Sequence, residues 1–273
     1  MLSIVTLTMN PAVDESTSVP YVLSDRKLRC QAPTYEPGGG GINVARAIQK
    51  LGGAALACFP VAGPAGELLK RLLDAEGLRY TPMPVNGWTR ENLNVLEEVS
   101  GRQFRFCMPG ATLGDHEWPI FLDWVRQLRP APDFLVASGS LPPGVPVDFY
   151  ARLAAVGRQT GSRVVLDTSG APLARAVEEG VYLLKPSLQE FHALMGEHEG
   201  DESHLGEPRG HGRQARLVRD PRPLARGGGR PLGDCLGAGA AGVAVRPCQE
   251  QRGGRRQHGG GHRALTGPGP RRG

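Results

Sequence analysis

Residues 36–46 read Glu-Pro-Gly-Gly-Gly-Gly-Ile-Asn-Val-Ala-Arg, four consecutive glycines opening onto an asparagine. Glycine loses more backbone freedom on folding than any other residue, so a run of it survives where side chains must be absent. A tight turn, the close approach of a ligand to the backbone, and a linker are the candidate reasons. The residues that follow argue against a linker. Ile42, Ala45, Ile48 and Leu51 recur at helical spacing, and Gly52-Gly53 closes the helix. Gly39, Gly40 and Asn43 therefore stand at a helix start, where unpaired N–H groups and the positive end of the dipole favour anions and acceptors. That chemistry suits a polar or phosphorylated ligand, and a purely structural turn would use the same residues.

Other polar residues fall at the ends of apolar runs. Asp14 follows the first run and a Pro turn, Ser140 lies in Gly139-Ser140-Leu-Pro-Pro-Gly, Asp167 ends a third run and Lys185-Pro186 a fourth. Lys27, Arg90 and Arg105 sit on or beside two further strand-like stretches. A carboxylate for sugar hydroxyls, arginines for a phosphate and a glycine bed compose a phospho-sugar site. Taken singly, Asp14 could cap a turn, the arginines could be solvated strand residues, and the Pro-Pro-Gly could be only a turn. Together they would converge on one edge.

The elements that must position these residues alternate. Strand-like runs at 3–9, 54–61, 133–139, 163–169 and 181–186 are separated by helical patterns at 42–51, 65–76, 115–129, 147–158 and 187–195. That rhythm predicts an α/β fold, a mostly parallel sheet with helices on both faces. Residues 28–36 and 93–108 break it and read as antiparallel strands, the second a hairpin turning at Ser100-Gly101. They predict a small β flap over the carboxyl ends of the strands, where open α/β sheets bind ligands.

Charge divides the chain. Residues 1–200 carry 18 Lys+Arg against 21 Asp+Glu, and residues 201–273 carry 14 against 6, which together give the overall +5. All 14 basic residues of the tail are arginine, and it holds 18 glycines and 7 prolines but no aromatic residue. Such a stretch buries too little apolar surface to offset its ordering entropy. The expected organisation is one domain over 1–200, with its lid at about 15–36 and 89–108, and a low-complexity, largely irregular tail over 201–273. The five scattered cysteines form no CxxC pair, so neither a disulfide framework nor a zinc site is indicated. No secretory signal or membrane-spanning run is evident, and a cytoplasmic protein is the default expectation.

Gly-Gly-Gly-Gly-Ile-Asn-Val-Ala-Arg, the downstream Gly-Ser-Leu-Pro-Pro-Gly, the Asp of Val-Val-Leu-Asp-Thr-Ser-Gly and Lys-Pro-Ser-Leu-Gln-Glu together resemble the PfkB group of ribokinase-like sugar kinases. The resemblance is nearest to the 6-phosphofructokinases of that group, through Thr-Leu-Thr-Met-Asn-Pro-Ala-Val-Asp, Asp-Arg-Lys-Leu-Arg-Cys, Trp-Thr-Arg-Glu-Asn-Leu and Arg-Phe-Cys-Met-Pro-Gly, and it runs to about residue 200. It implies a three-layer α/β/α fold with a β lid, ATP-dependent phosphorylation of fructose 6-phosphate in glycolysis, a magnesium ion, and homodimers formed through the lid. By that resemblance Asp14, Gly39, Gly40 and Asn43 hold the sugar, and Lys27, Arg90, Arg105 and Ser140 hold its phosphate or neighbouring groups. Lys185 and Ser187 serve the nucleotide and Glu190 its magnesium. Ser187 replaces the family's asparagine, and a hydroxyl has one polar arm fewer than an amide.

The larger departure lies in the tail. The family's second signature, Gly-Ala-Gly-Asp, carries the base that takes the sugar hydroxyl proton and an anion hole for the transferred phosphoryl group. Residues 1–273 contain no such sequence. Leu-Gly-Ala-Gly-Ala-Ala-Gly at 236–242 imitates it, but Ala240 stands where the carboxylate belongs, and it comes early. At the expected place the chain reads Gln-Arg-Gly-Gly-Arg-Arg-Gln-His, residues 251–258. With a suitable choice of codons, the neighbouring reading frame over Arg252–His258 spells Val-Gly-Ala-Gly-Asp-Ser-Met, and Arg256 overlies the catalytic Asp. The catalytic residue is thus absent from the sequence as written, and a frameshifted C-terminus is the preferred account. A phospho-sugar-binding remnant without turnover is an alternative. A nucleic-acid-binding tail is a weaker one, because no aromatic residue interleaves with the arginines for base stacking.

Overall fold

The computed structural model describes residues 3–195, 215–219 and 243–247. At the centre of the main sheet, β1 (Ile4–Leu7) lies between β4 (Leu56–Val61) and β8 (Phe134–Ser138). Beyond β4 comes β5 (Tyr80–Pro84), and beyond β8 come β9 (Arg163–Asp167) and β10 (Leu183–Leu184), all parallel. Two strands from the tail, β11 (Ala215–Arg219) and β12 (Val243–Pro247), continue that edge antiparallel. Helices α1 (Gly40–Lys50), α2 (Gly63–Ala75), α3 (Trp118–Gln127), α4 (Phe149–Thr160), α5 (Gly170–Glu179) and α6 (Leu188–Met195) intervene.

Two apolar cores make this a three-layer α/β/α fold. Ile42 and Ala45 of α1 pack with Leu69 and Leu73 of α2 against Ala57 and Phe59. The other core joins Phe121, Leu153 and Leu173 of α3, α4 and α5 to Val5, Leu7, Leu135 and Val164. Along β4, Ala57, Phe59 and Val61 belong to the first core and Cys58 to the second, as the two-residue period of a strand requires. Both faces of the sheet are covered, so its central strands read as continuous apolar runs in the sequence.

The lid is a second sheet in the order β3-β2-β6-β7, made of β2 (Ala12–Val19), β3 (Thr34–Gly38), β6 (Arg90–Glu97) and β7 (Gln103–Phe106). The expected hairpin is present, since β6 and β7 pair antiparallel, with the Gly101 N–H donating to the Glu97 carbonyl. The remainder of the lid differs from the sequence reading. Its first strand is β2, parallel to β6, and residues 28–33 form no strand. Pro33 offers no N–H to a ladder, and β3 begins immediately after it.

Two elements in the main domain escape the sequence pattern. β5 reads Tyr-Thr-Pro-Met-Pro, and its prolines are tolerated because it is the edge strand. α5 begins Gly-Ala-Pro, and its proline falls in the first turn, where an N–H has no helical partner in any case. In the tail, where the sequence reading expects irregular chain, the described residues are the ten of β11 and β12. The Gly-Ala-Gly-Ala-Ala-Gly look-alike, Arg256 and the rest of that region lie outside the described residues.

The start of α1 is capped from a distance. Its N-cap, Gly39, has no side chain to offer, so the Ile42 N–H donates 2.8 Å to Oγ1 of the buried Thr8, just beyond β1. Replacing Thr8 by Val keeps the shape and strands that donor. The substitution should lower the unfolding free energy by about 1–3 kcal/mol, read from denaturant curves. An unchanged midpoint would show that the helix start does not depend on Thr8.

Candidate functional site

The glycine run is explained by what surrounds it. A Cβ on Gly38 would meet the Asp14 carboxylate at 2.3 Å, one on Gly39 the Thr8 methyl at 2.6 Å, and one on Gly40 Ser138 Oγ at 2.3 Å. On Gly41 it would meet the Leu7 carbonyl oxygen at 2.5 Å. Gly39 also has φ +114°, a conformation that other residues rarely adopt. The run seats the amino end of α1 directly on the ends of β1 and β8, beside Asp14. Asn43 follows on the exposed side of the helix, its Oδ1 accepting at 3.4 Å from Arg46.

Arg46 ties this region together. Its Nε and Nη2 donate to the two carboxylate oxygens of Glu76 at the end of α2, at 2.7 and 2.6 Å. Its Nη1 donates to the Pro37 carbonyl on β3 at 3.2 Å. Lid strand, helix start and α2 are thus held by one bidentate guanidinium.

On the lid, the register sets Asp14 opposite Asn92, Ala12 opposite Arg90 and Asn94 opposite Arg105. All of these share one face, because cross-strand partners point the same way. Asn92 Nδ2 donates to Asp14 Oδ1 at 2.8 Å, and the Met108 N–H donates to Asn92 Oδ1 at 3.1 Å. Arg90 is half-buried and reaches back to the main domain. Its Nη2 donates to the Asn10 carbonyl at 3.0 Å and its Nη1 to the Met108 carbonyl at 3.3 Å. Its Nε is buried without a hydrogen-bond partner among the described residues. Burial lowers its pKa, with Cys107 and Asp14 acting in the opposite direction, and it remains a cation at neutral pH. Its position is fixed by Thr89, whose hydroxyl accepts from the Ala62 N–H and whose N–H donates to the Ala62 carbonyl, both at 3.0 Å.

Across the carboxyl ends of the main sheet runs a second chain of contacts. Ser138 Oγ donates to Asp167 Oδ2 at 3.1 Å, and Lys185 Nζ pairs with Asp167 Oδ1 at 3.1 Å. The buried Tyr150 and Thr168 both donate to the Gly139 carbonyl, at 2.9 and 3.0 Å, which fixes the turn leading to Ser140. Asn10 Nδ2 donates to Ser140 Oγ at 3.1 Å. Between lid and sheet lies an open cleft of about 650 Å³, lined by Asn10, Arg90, Cys107, Gly110, Leu141 and Pro142 among others.

The fold therefore brings Asp14, Gly39, Gly40, Arg90 and Ser140 to one edge, with Lys185 farther along it. Lys27 is exposed in the irregular connection between β2 and β3, and Arg105 is exposed on β7. Neither lines the cleft. Thr8, Asn10, Arg46, Thr89 and Asn92 were not singled out from sequence. Their signal was available only as membership of the same stretches, since each acts through a partner distant in sequence.

Ser187 and Glu190 satisfy one another. The Ser187 N–H donates to Glu190 Oε2 at 2.7 Å, and the Glu190 N–H donates to Ser187 Oγ at 3.2 Å. This is a capping box at the start of α6. It uses one carboxylate oxygen of Glu190 and leaves the other without a protein partner among the described residues. A magnesium ion that travels with nucleotide phosphates needs only one or two carboxylates and keeps its waters. The donor set here fits that mode. Among the described residues no group of three or more His, Cys, Asp and Glu could hold a metal, and no helix is long and apolar enough to cross a membrane.

A mostly parallel α/β/α domain with a β lid over its carboxyl edge is the ribokinase-like class of small-molecule kinases. The chain belongs to the pfkB family of carbohydrate kinases, whose model matches residues 4–218. It is 46% identical over 193 residues to the ATP-dependent 6-phosphofructokinase isozyme 2 of Mycobacterium tuberculosis, covering 71% of this chain and 57% of that protein. The isozyme of the same name from Escherichia coli is 44% identical over 196 residues, with coverage of 71% and 63%. The chain thus spans less than two thirds of these curated relatives. The crystal structure of Escherichia coli phosphofructokinase-2 in complex with fructose-6-phosphate superposes with a TM-score of 0.70 at 42% identity, covering 74% of this chain and 67% of that one. A tetrameric inhibited form of the same enzyme superposes with a TM-score of 0.69 and 42% identity, over 74% and 66%.

The capping box has a consequence independent of any nucleotide. Ser187→Ala should cost about 1 kcal/mol of stability. Because the two residues act as one unit, Ser187→Ala with Glu190→Ala should cost less than the sum of the single changes. Urea denaturation of the three variants checks this, and strict additivity would show that the reciprocal pair does not form.

Proposed function

We propose that this chain binds fructose 6-phosphate and magnesium-bound ATP in the manner of a cytoplasmic ATP-dependent phosphofructokinase, and that, as its sequence stands, it does not turn them over. One observation carries the binding half. Of the residues that the family resemblance assigns to the sugar phosphate, Arg90 lines the cleft, Ser140 accepts from the cleft residue Asn10, and Asp14 is bonded to Asn92 on the same face of the Arg90 strand. The names of the relatives, and the sugar phosphate held by one of them, support the choice of ligand. In this reading Asp14 accepts from sugar hydroxyls, Arg90 and Ser140 bind the phosphate, and Arg105 and Lys27 add positive charge from the lid. Lys185 meets the nucleotide phosphates, and Glu190 holds the magnesium ion, directly or through water. Magnesium supplies neutralisation of the charge that develops on the transferred phosphoryl group. Two copies pair through the lid, whose exposed Tyr35, Phe106 and Met108 offer apolar surface.

The catalytic half rests on residues 201–273. We read them as out of frame, because an arginine-only, glycine- and proline-rich tail replaces the stretch where the family has its second signature. Arg256 at the place of the base cannot substitute, since a guanidinium stays protonated at physiological pH. Loss of a general base removes typically about 10²–10⁴-fold in rate, and loss of an anion hole about 10²–10³-fold.

Calorimetry of purified chain, its mass confirmed, should detect fructose 6-phosphate binding. Asp14→Ala or Arg90→Ala should weaken it by roughly ten- to a hundredfold. A coupled assay of ADP release should stay at background, and restoring the alternate frame should recover activity. Parental affinity in both variants would refute the site, and turnover of about one per second, an ordinary kinase rate, would refute the catalytic half.

A further inference from the structure

We infer that Asn10 is a positioning residue that aims the Ser140 hydroxyl at the ligand phosphate, an inference that rests on the binding reading above. Asn10 is only 7% exposed, yet it lines the cleft and touches both groups assigned to the phosphate. Its backbone carbonyl accepts from Arg90 at 3.0 Å, and its side-chain amide donates to Ser140 Oγ at 3.1 Å. It thereby spans the gap between lid strand β6 and the turn after β8. Gly110 leaves room for the amide, since a Cβ there would lie 2.1 Å from Asn10 Oδ1.

The direction of the amide bond matters. A hydroxyl has one proton and two lone pairs. When Asn10 donates into one lone pair, the Ser140 proton is left to be given to another acceptor, and phosphate oxygens accept without donating. A carboxylate in the same place would reverse this polarity. Ser140 would spend its proton on residue 10, and a negative charge would stand beside the phosphate. The contact with Arg90 runs through the backbone and survives any substitution at position 10, so side-chain variants isolate the link to Ser140.

The test is fructose 6-phosphate affinity by calorimetry, with thermal melting of each variant. Asn10→Asp is nearly isosteric and should melt with the parent while binding roughly ten- to a hundredfold more weakly. Asn10→Ala should lose about tenfold in the parent but less than about threefold in a Ser140→Ala background, where the hydroxyl it orients is gone. If Asn10→Asp melts early, the Ala pair decides. The inference falls if Arg90→Ala weakens binding while Asn10→Asp and Asn10→Ala stay within about threefold of the parent. It also falls if Asn10→Ala costs as much without Ser140 as with it. Unweakened binding by both Asp14→Ala and Arg90→Ala would instead overturn the underlying site.

Discussion

The molecule is organised around a close approach between backbones. The amino end of α1 sits so near the ends of β1 and β8 that no side chain fits at positions 40 and 41, while one at 38 would meet the Asp14 carboxylate and one at 39 the Thr8 methyl. A single methyl at Gly41 would stand 2.5 Å from the Leu7 carbonyl oxygen, well inside van der Waals contact. The helix would have to lift, and with it the capping bond from Ile42 to Thr8 and the packing of Ile42 and Ala45 on the sheet. Because β3 runs directly into this turn, the lid would move as well. The entropic cost of four glycines is thus offset by one geometry that fixes core, helix start and lid together.

That geometry also explains why the lid is a precise attachment and not a loose flap. It joins the main domain at Asn10-Pro11 before β2, at Gly38 after β3 and at Thr89 before β6. Each junction is held. Arg46 grips the Pro37 carbonyl while paired to Glu76, Thr89 is clipped to Ala62, and Arg90 returns to the Asn10 carbonyl. The ion pair of Arg46 is mostly sheltered on the arginine side, where it is worth more than an open surface pair. The polar face of the lid is therefore presented at a fixed height above the strand ends.

How much of this was legible in the sequence follows from the range of each interaction. Apolar runs and helical periodicity are local, so the central strands and five of the six helices could be read directly. β5 and α5 were hidden by prolines, whose tolerance depends on being at a sheet edge or in a first turn. β2 was hidden because Asp-Glu-Ser-Thr-Ser is a strand only in the company of β3 and β6. Candidate site residues were legible where a residue type carries its chemistry alone, as with Asp14 or Arg90. The residues that hold them, Asn10, Thr89 and Asn92, act through partners 27 to 130 positions away, and no local pattern announces such a partner. Ser187 and Glu190 show the converse. Their spacing is itself a capping signature, legible without any partner distant in sequence.

Binding and turnover are separable in such an architecture because they draw on different groups. On the proposed reading, the attraction for a sugar phosphate comes from Asp14, Arg90 and Ser140, positioned by residues no later than Thr168. Proton removal from the accepting hydroxyl needs a carboxylate free to approach it. Two carboxylates at this edge, Asp14 and Asp167, are already engaged. Asp14 accepts from Asn92 and packs against Gly38, and Asp167 accepts from Ser138 and pairs with Lys185. These partners fix the two side chains in place, which suits them to orienting a ligand. On the proposed reading the base belongs to another part of the chain, which by the family resemblance is the region that is arginine- and glycine-rich here. In that reading, the grip on the ligand and the step that consumes it thus rest on different stretches of the chain.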